Sequence, residues 1–350
     1  MDTNWIQRFP LLYALPAAEH WFSIQINLGL ANATIDAYGR NLVDYLRFCL
    51  QQSMVIETAT REHIAHYVHH LANQPLARPT AERQVGLANA TMQQRLVTVR
   101  LFYDFLVEEG IRTQDNPVRR GVYTPYKGFA GYRDRGLIPH YQKLPWIPSD
   151  EDWNQLMTYL KTETLRNRLM FALSYDAGLR REEVCSLQTG DIDPSRRLIT
   201  LRAEATKGRR SRVVPYSVAT GELYMAYLRQ RQSLSRNRGP LFLSESRRNR
   251  SMPISIWTWS KAVQTIARKA ELLRFTSHTL RHLCLTDLAR AGWDIHEIAQ
   301  FAGHRHTDTT LIYIHLSGRD LADRFQRSMN SIHVQRLALL HGITSTIDPN

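Results

Sequence analysis

His278-Thr279-Leu280-Arg281-His282 is the segment on which the reading of this chain turns. Ser277 just before it is a ready helix cap, and His278 and Arg281, three positions apart, share one face of the helix that follows. Gly292 closes that helix. A short helix over 294–301 then ends near Gly303, which delivers His304 in Ala302-Gly303-His304. Tyr313 follows nine residues later, on a helix that Thr307 or Asp308 can cap.

Upstream, the same domain opens at Ser149 with a helix bearing Trp153, Leu156, Met157 and Leu160. A buried helix through Leu169 and Tyr175 stops at Gly178, so Arg180, in Gly178-Leu179-Arg180-Arg181-Glu182-Glu183-Val184, begins the next one. The β-rich runs Leu198-Ile199-Thr200-Leu201 and Arg212-Val213-Val214-Pro215 flank Thr206-Lys207-Gly208 and read as a hairpin. Leu241-Phe242-Leu243 reads as a further short strand, and a helix is expected over 255–271.

The first 118 residues read as entirely helical. Ile35, Tyr38, Leu42, Tyr45, Leu46 and Cys49 recur at helical spacing after Asn32, and Ile64, Tyr67, Val68 and Leu71 do so after Thr60. A third stripe runs from Met92 to Leu106 between Asn89 and Gly110, and a short helix is expected over 20–28. One apolar face per helix predicts a small bundle. Arg40, Arg47, Arg61, Arg95 and Arg100 fall on the polar faces, as solvated surface or as a DNA-facing set. The expected fold is mainly α with a small β-sheet. It comprises a helical bundle (1–118), a basic linker (119–148), a mixed α/β domain (149–316) and a C-terminal helix or tail (317–350).

The linker carries Gly121, Pro125, Gly128, Gly131, Gly136, Pro139, Pro145 and Pro148, too many breakers for regular structure. Its Arg119, Arg120, Lys127, Arg133, Arg135 and Lys143 alternate with Tyr123, Tyr126, Tyr132 and Tyr141, a pattern fit to follow a phosphate backbone. The 350 residues carry 45 Lys and Arg against 32 Asp and Glu, a formal net charge of +13. Such a surplus favours an anionic partner. There is no apolar run long enough to span a bilayer, and Met1-Asp2-Thr3-Asn4-Trp5 lacks a secretory pattern, so nucleic acid is preferred over a membrane. Cys49, Cys185 and Cys284 lie far apart in apolar contexts and read as reduced core thiols of a cytoplasmic protein.

Arg180, Lys207, His278, Arg281, His304 and Tyr313 together suit chemistry on a phosphodiester. Two guanidiniums grip non-bridging oxygens in a fork that stays charged. They stabilise the charge that builds in a five-coordinate transition state. A tyrosine hydroxyl, with a pKa near 10, needs a cationic field or a base to become a nucleophile. A lysine on a hairpin tip can protonate the leaving oxygen. Singly, each residue reads more plainly: a surface cation at a helix start, a half-buried tyrosine, an ordinary hairpin turn. His278 and His282, and likewise His66, His69 and His70, invite a metal reading. Arg281 between the first pair and the absence of a glutamate after His278 argue against zinc.

Order and spacing together resemble the tyrosine recombinase and phage integrase family. The likeness covers most of the chain, with the first unit similar to that family's core-binding domain and 149–330 to its catalytic domain. Gly178, Arg180 and Glu183 match its Gly-x-Arg-x-x-Glu run, and Lys207 stands in the hairpin before Val214-Pro215. His278 and Arg281 match its His-x-x-Arg, and His304 and Tyr313 its Gly-His and the tyrosine beyond. The resemblance implies that Arg180 and Arg281 clamp the phosphate, Lys207 is the general acid and Tyr313 the nucleophile. His278 would assist proton transfer, His304 would hydrogen-bond the phosphate, and Glu183 would support the site. It implies no cofactor, metal or ATP. The expected partners are double-stranded DNA, three further copies of the chain on two DNA sites, and related recombinases or accessory proteins. The residues after Tyr313, with Leu321, Phe325, Met329 and Ile332 at helical spacing, would dock on a neighbouring subunit. Ala302, Thr206 and Leu283 depart from residues common in the family without removing a catalytic group. The bundle begins within about twenty residues of the start, which leaves no room for an arm-binding domain. An integrase, a resolvase and a transposase all fit, and the alternatives are a non-catalytic DNA-binding protein or a type IB-like topoisomerase.

Overall fold

The computed structural model describes residues 4–80, 83–118, 137–138, 144–206 and 209–316. The chain divides into two compact units, Met1–Gln142 and Lys143–Asn350, each with its own core. Lys207, most of the basic, tyrosine-bearing linker and the residues after Leu316 lie outside the described residues.

The first unit contains α1 (Trp5–Arg8), α2 (Pro10–Tyr13), α3 (Pro16–Asn27), α4 (Asn32–Gln51), α5 (Arg61–Asn73) and α6 (Asn89–Glu108). Prolines open α2 and α3, where a missing N–H costs nothing. Thr60 caps α5. The apolar stripes of α4 and α6 meet in the core, where the Tyr45 and Tyr103 hydroxyls share a 2.6 Å hydrogen bond. Gly39 leaves room for Phe9: a Cβ there would stand 2.3 Å from the Phe9 ring. Arg95 is tied inward instead of being free surface, sharing Asp44 with the Tyr67 hydroxyl.

One element here departs from an all-helical unit. Strand β1 (Pro75–Thr80) pairs antiparallel with β2 (Arg83–Val85). Pro75 cannot continue α5 and biases Gln74 to its extended conformation. Gly86, at φ +75, returns the chain so closely that a Cβ would lie 1.9 Å from the Ala72 carbonyl.

The second unit opens with α7 (Asp150–Leu160), capped by Ser149, then α8 (Leu165–Asp176) and α9 (Arg181–Ser186). A three-stranded antiparallel sheet follows, β3 (Ile192–Asp193), β4 (Leu198–Leu201) and β5 (Arg212–Pro215), in the order β3-β4-β5. The β4–β5 hairpin has the expected strands, with Leu201 opposite Arg212, while β3 is an addition too short to show periodicity. Residues 241–243 are not a strand: Leu243 makes only an isolated bridge to Pro253. Helices α10 (Val218–Gln232), α11 (Ile256–Lys269), α12 (Ser277–Arg290), α13 (Ile295–Ala302) and α14 (Asp308–Leu316) complete the unit. Helix α12 is buried on nearly every side, packing on α8, α13 and α14. It therefore serves as the rigid mount for the residues it carries.

Candidate active site

The site is built around one buried guanidinium. Arg281, on α12, is only 4% exposed. Its Nη1 donates to the carbonyl of Gly178, and its Nη2 donates to the carbonyl of Ala302 and, at 3.1 Å, to His304 Nε2. Those carbonyls belong to the turns that carry Arg180 and His304. A guanidinium has five N–H groups, and three of them are used this way. Burial, then the neighbouring Arg180, pulls its pKa down to about 10, which still leaves it charged at neutral pH.

Gly178 is the hinge between α8 and α9. Its φ of +56 is left-handed, and an added Cβ would meet the Phe301 ring at 3.0 Å. The turn places Arg180 at the cap of α9, where its backbone N–H donates to Glu183 Oε2 at 2.8 Å and its Nη1 to Oε1 at 2.9 Å. Glu183 is 1% exposed. Burial alone would favour its protonated form, but the hydrogen bonds and charge of Arg212, reinforced by Arg180, hold its carboxyl at about 2.

Arg212, at the start of β5, grips Glu183 with both ends of its fork at 2.8 Å, and its Nε donates to the carbonyl of Phe301 at 3.0 Å. The sequence hides this role, because Arg209 and Arg210 crowd the same turn. The only visible signal is position. Arg212 leads a strand of alternating burial, half-buried before exposed Val213 and buried Val214. Two guanidiniums, Arg180 and Arg212, thus share the one carboxylate of Glu183, so the trio carries one net positive charge. Arg180, Arg212 and His304 also line a cleft of about 960 Å3, with Thr206, Arg209 and Arg210 of the β4–β5 turn on its wall. Lys207, the expected acid, belongs to that turn in sequence but lies outside the described residues. Thr206 braces the turn, its hydroxyl accepting from Arg210 N at 3.0 Å.

His304 follows Gly303, whose φ of +64 ends α13 in a left-handed cap. An arginine can only donate, so Nε2 of His304 accepts from Arg281, and Nδ1 carries the proton toward Thr310 Oγ1 at 2.9 Å. Burial, then Arg281, Arg180 and Arg212, push the imidazole down to about 3, so it is neutral at pH 7. The Tyr313 ring stacks on His304, centroids 6.1 Å apart and planes 12° from parallel. Tyr313 is 3% exposed and does not line the cleft; His304 does. Burial raises its phenol pKa, against the opposing pull of Arg281 and Arg180.

His278 lies exposed on the first turn of α12, its ring 6.5 Å from that of His282. Although the residue is exposed overall, partial desolvation by its neighbours lowers its pKa; Glu182 opposes that effect, while Arg181, Arg281 and Arg180 add to it. The Tyr313 hydroxyl reaches His282 Nδ1 at 3.0 Å. His282 had no assigned role in the sequence beyond a discounted metal pair. Its signal was the four-residue spacing from His278, which puts both on one helix face. The structure thus brings Arg180, Glu183, Arg281, His304 and Tyr313 into one contiguous cluster beside the cleft, with His278 at its edge. It adds Arg212 and His282.

A pocket of guanidiniums and imidazoles around a covered phenol, on a helical unit with a small sheet, defines a class of DNA strand-transfer enzymes. Comparison with known proteins agrees. Residues 148–319 match the model of the phage integrase family, and 19–110 that of the phage integrase N-terminal SAM-like domain. The chain is 26% identical over 310 residues to the tyrosine recombinase XerD of Halalkalibacterium halodurans, covering 85% of this chain and 92% of that protein. It is 30% identical over 208 residues to the tyrosine recombinase XerA of Pyrococcus furiosus, covering 59% and 70% respectively. The crystal structure of the XerH site-specific recombinase bound to palindromic difH substrate, a post-cleavage complex, superposes with a TM-score of 0.63. That match has 18% identity and covers 84% of this chain and 79% of that one. The chain belongs to the phage integrase family of tyrosine recombinases. It is a site-specific recombinase that binds, cleaves and rejoins DNA. Among the described residues no helix is long and apolar enough to cross a membrane.

Proposed function

We propose that Tyr313 attacks a backbone phosphorus of duplex DNA and forms a 3′-phosphotyrosine bond, releasing a 5′-hydroxyl that later attacks the same phosphorus to rejoin strands. The observation that carries this reading is the stacking of Tyr313 on His304, whose Nε2 takes a hydrogen bond from the buried Arg281. Arg180 and Arg281 hold the non-bridging oxygens, with Glu183 aligning Arg180. His304, neutral with its proton on Nδ1, turns toward the phosphate oxygens when Arg281 engages them. Lys207 protonates the leaving 5′-oxygen and His278 assists proton transfer. Positive side chains supply the charge stabilisation, so the reaction runs without a metal ion. The phosphotyrosine ester conserves the bond energy, so no ATP is used.

At the level of assembly, residues 1–118 form a core-binding domain, 119–148 a basic linker along the duplex, and 149–316 the catalytic domain. Four copies on two DNA sites exchange strands through a Holliday junction, with 317–350 of each copy docked on a neighbour. Related recombinases or accessory proteins join that assembly. The described cysteines are free thiols, in keeping with a reducing cytoplasm.

The test is a nicked suicide duplex carrying the recombination site, which traps the covalent adduct. Tyr313→Phe should form no adduct while binding DNA as the wild type does. An adduct that persists in this variant overturns the nucleophile assignment.

A further inference from the structure

We propose that His282 is a further catalytic residue, the acceptor of the Tyr313 phenol proton as the tyrosine attacks. The inference rests on Tyr313 being the nucleophile. The hydroxyl of Tyr313 meets His282 Nδ1 at 3.0 Å, and the two rings lie 5.7 Å apart at 35°. Helix α12 is held on three neighbours, so the imidazole is fixed in place. Its backbone carbonyl is itself engaged, accepting from Thr286 Oγ1 at 2.8 Å.

The charges around the ring favour this role. His278 and Arg281 on its own helix, Tyr313 on α14 and His304 on the turn before α14 face the same space. Burial, then His278 and Arg281, lower its pKa to about 4, and among the described residues no carboxylate offsets this. An imidazole that is neutral at pH 7 can accept a proton, whereas an imidazolium cannot. With Nδ1 accepting from the phenol, Nε2 carries the ring proton. Among the described residues the phenol hydroxyl bonds His282 and not His304, whose Nε2 accepts from Arg281 and whose Nδ1 proton points to Thr310. A phosphate arriving between the arginines adds negative charge to the pocket, which makes His282 more basic when the proton must move.

The step balances without any further reactant. The phenol O–H bond breaks, its proton passes to His282 Nδ1, and the phenolate oxygen forms the bond to phosphorus. The bond from phosphorus to the 5′-oxygen breaks, and Lys207 protonates that oxygen. Rejoining reverses each transfer: the departing phenolate takes its proton back from the His282 imidazolium.

Cleavage rates on the nicked suicide duplex test the assignment, with gel-shift binding as the check on folding. His282→Ala should cleave about 100-fold to 10,000-fold more slowly than wild type. Its rate should climb nearly tenfold per pH unit between pH 7 and 9, as free phenolate replaces assisted ionisation, while wild type stays flat. His282→Gln keeps a hydrogen-bond acceptor but no base, so it should show the same slope; if His282→Ala fails to bind DNA, this variant carries the test. A duplex with a sulfur leaving atom at the 5′ position needs no acid, so it should rescue Lys207→Ala but neither His282 variant. Rates within threefold of wild type, or slow rates with no pH slope, overturn the proposal. Tyr313→Phe run in parallel separates this failure from failure of the nucleophile assignment, since only the latter leaves an adduct in that variant.

Discussion

Glu183 is the residue whose removal the site should tolerate least. It is the carboxylate that both Arg180 and Arg212 bind, and it is itself almost wholly buried. Glu183→Gln would leave Arg212, of which 10% is exposed, with no counter-charge. Breaking one partner of a buried pair costs about 3–5 kcal/mol, and urea denaturation should show a loss of that order. An unchanged midpoint would refute the bridging role. The same residue shapes the acid response. A carboxyl depressed to about 2 contributes stability above the ordinary value of about 4.3 that fades as pH falls toward 2. His304 and His282, held near 3 and near 4, take up protons in the unfolded chain first. Stability should therefore begin to fall as pH drops below about 6.5. The residue types of the pocket were legible in the sequence because phosphoryl chemistry asks for cations and a phenol. Arg212 and His282 were not, since their meaning lies in partners 29 and 31 positions away.

Helices were read well where a cap and a stripe coincide, as at Ser149 with α7 and at Thr60 with α5. Elements without a period were missed: β1 and β2 hold two prolines between them, and β3 has two residues. Turns, more than helices, set the site. Gly178 and Gly303 both sit at positive φ, one before Arg180 and one before His304, and Arg281 ties the neighbouring carbonyls together. Gly178→Ala tests this arrangement. A left-handed alanine costs about 1–2 kcal/mol, and its Cβ would press on Phe301 at 3.0 Å. The variant should lose about that much stability by urea denaturation. It should also cleave more slowly, because the carbonyl that receives Arg281 shifts with the turn. Full stability together with full cleavage would show that the turn is not the hinge of the site.

For the entire chain, charge governs the encounter with DNA. A net +13 predicts binding dominated by counterion release. If six to ten phosphates are neutralised, affinity for duplex should fall about 1,000-fold to 100,000-fold between 50 and 200 mM salt. Fluorescence anisotropy across that range measures the slope, and a shallow one would mean that few phosphates are contacted. Two units with separate cores could be anticipated from length and from the run of breakers between them. The phenol that Tyr313 keeps under His304 has one last implication. On the proposed mechanism, a nucleophile buried to this degree would be kept from stray nucleotides and phosphorylated metabolites.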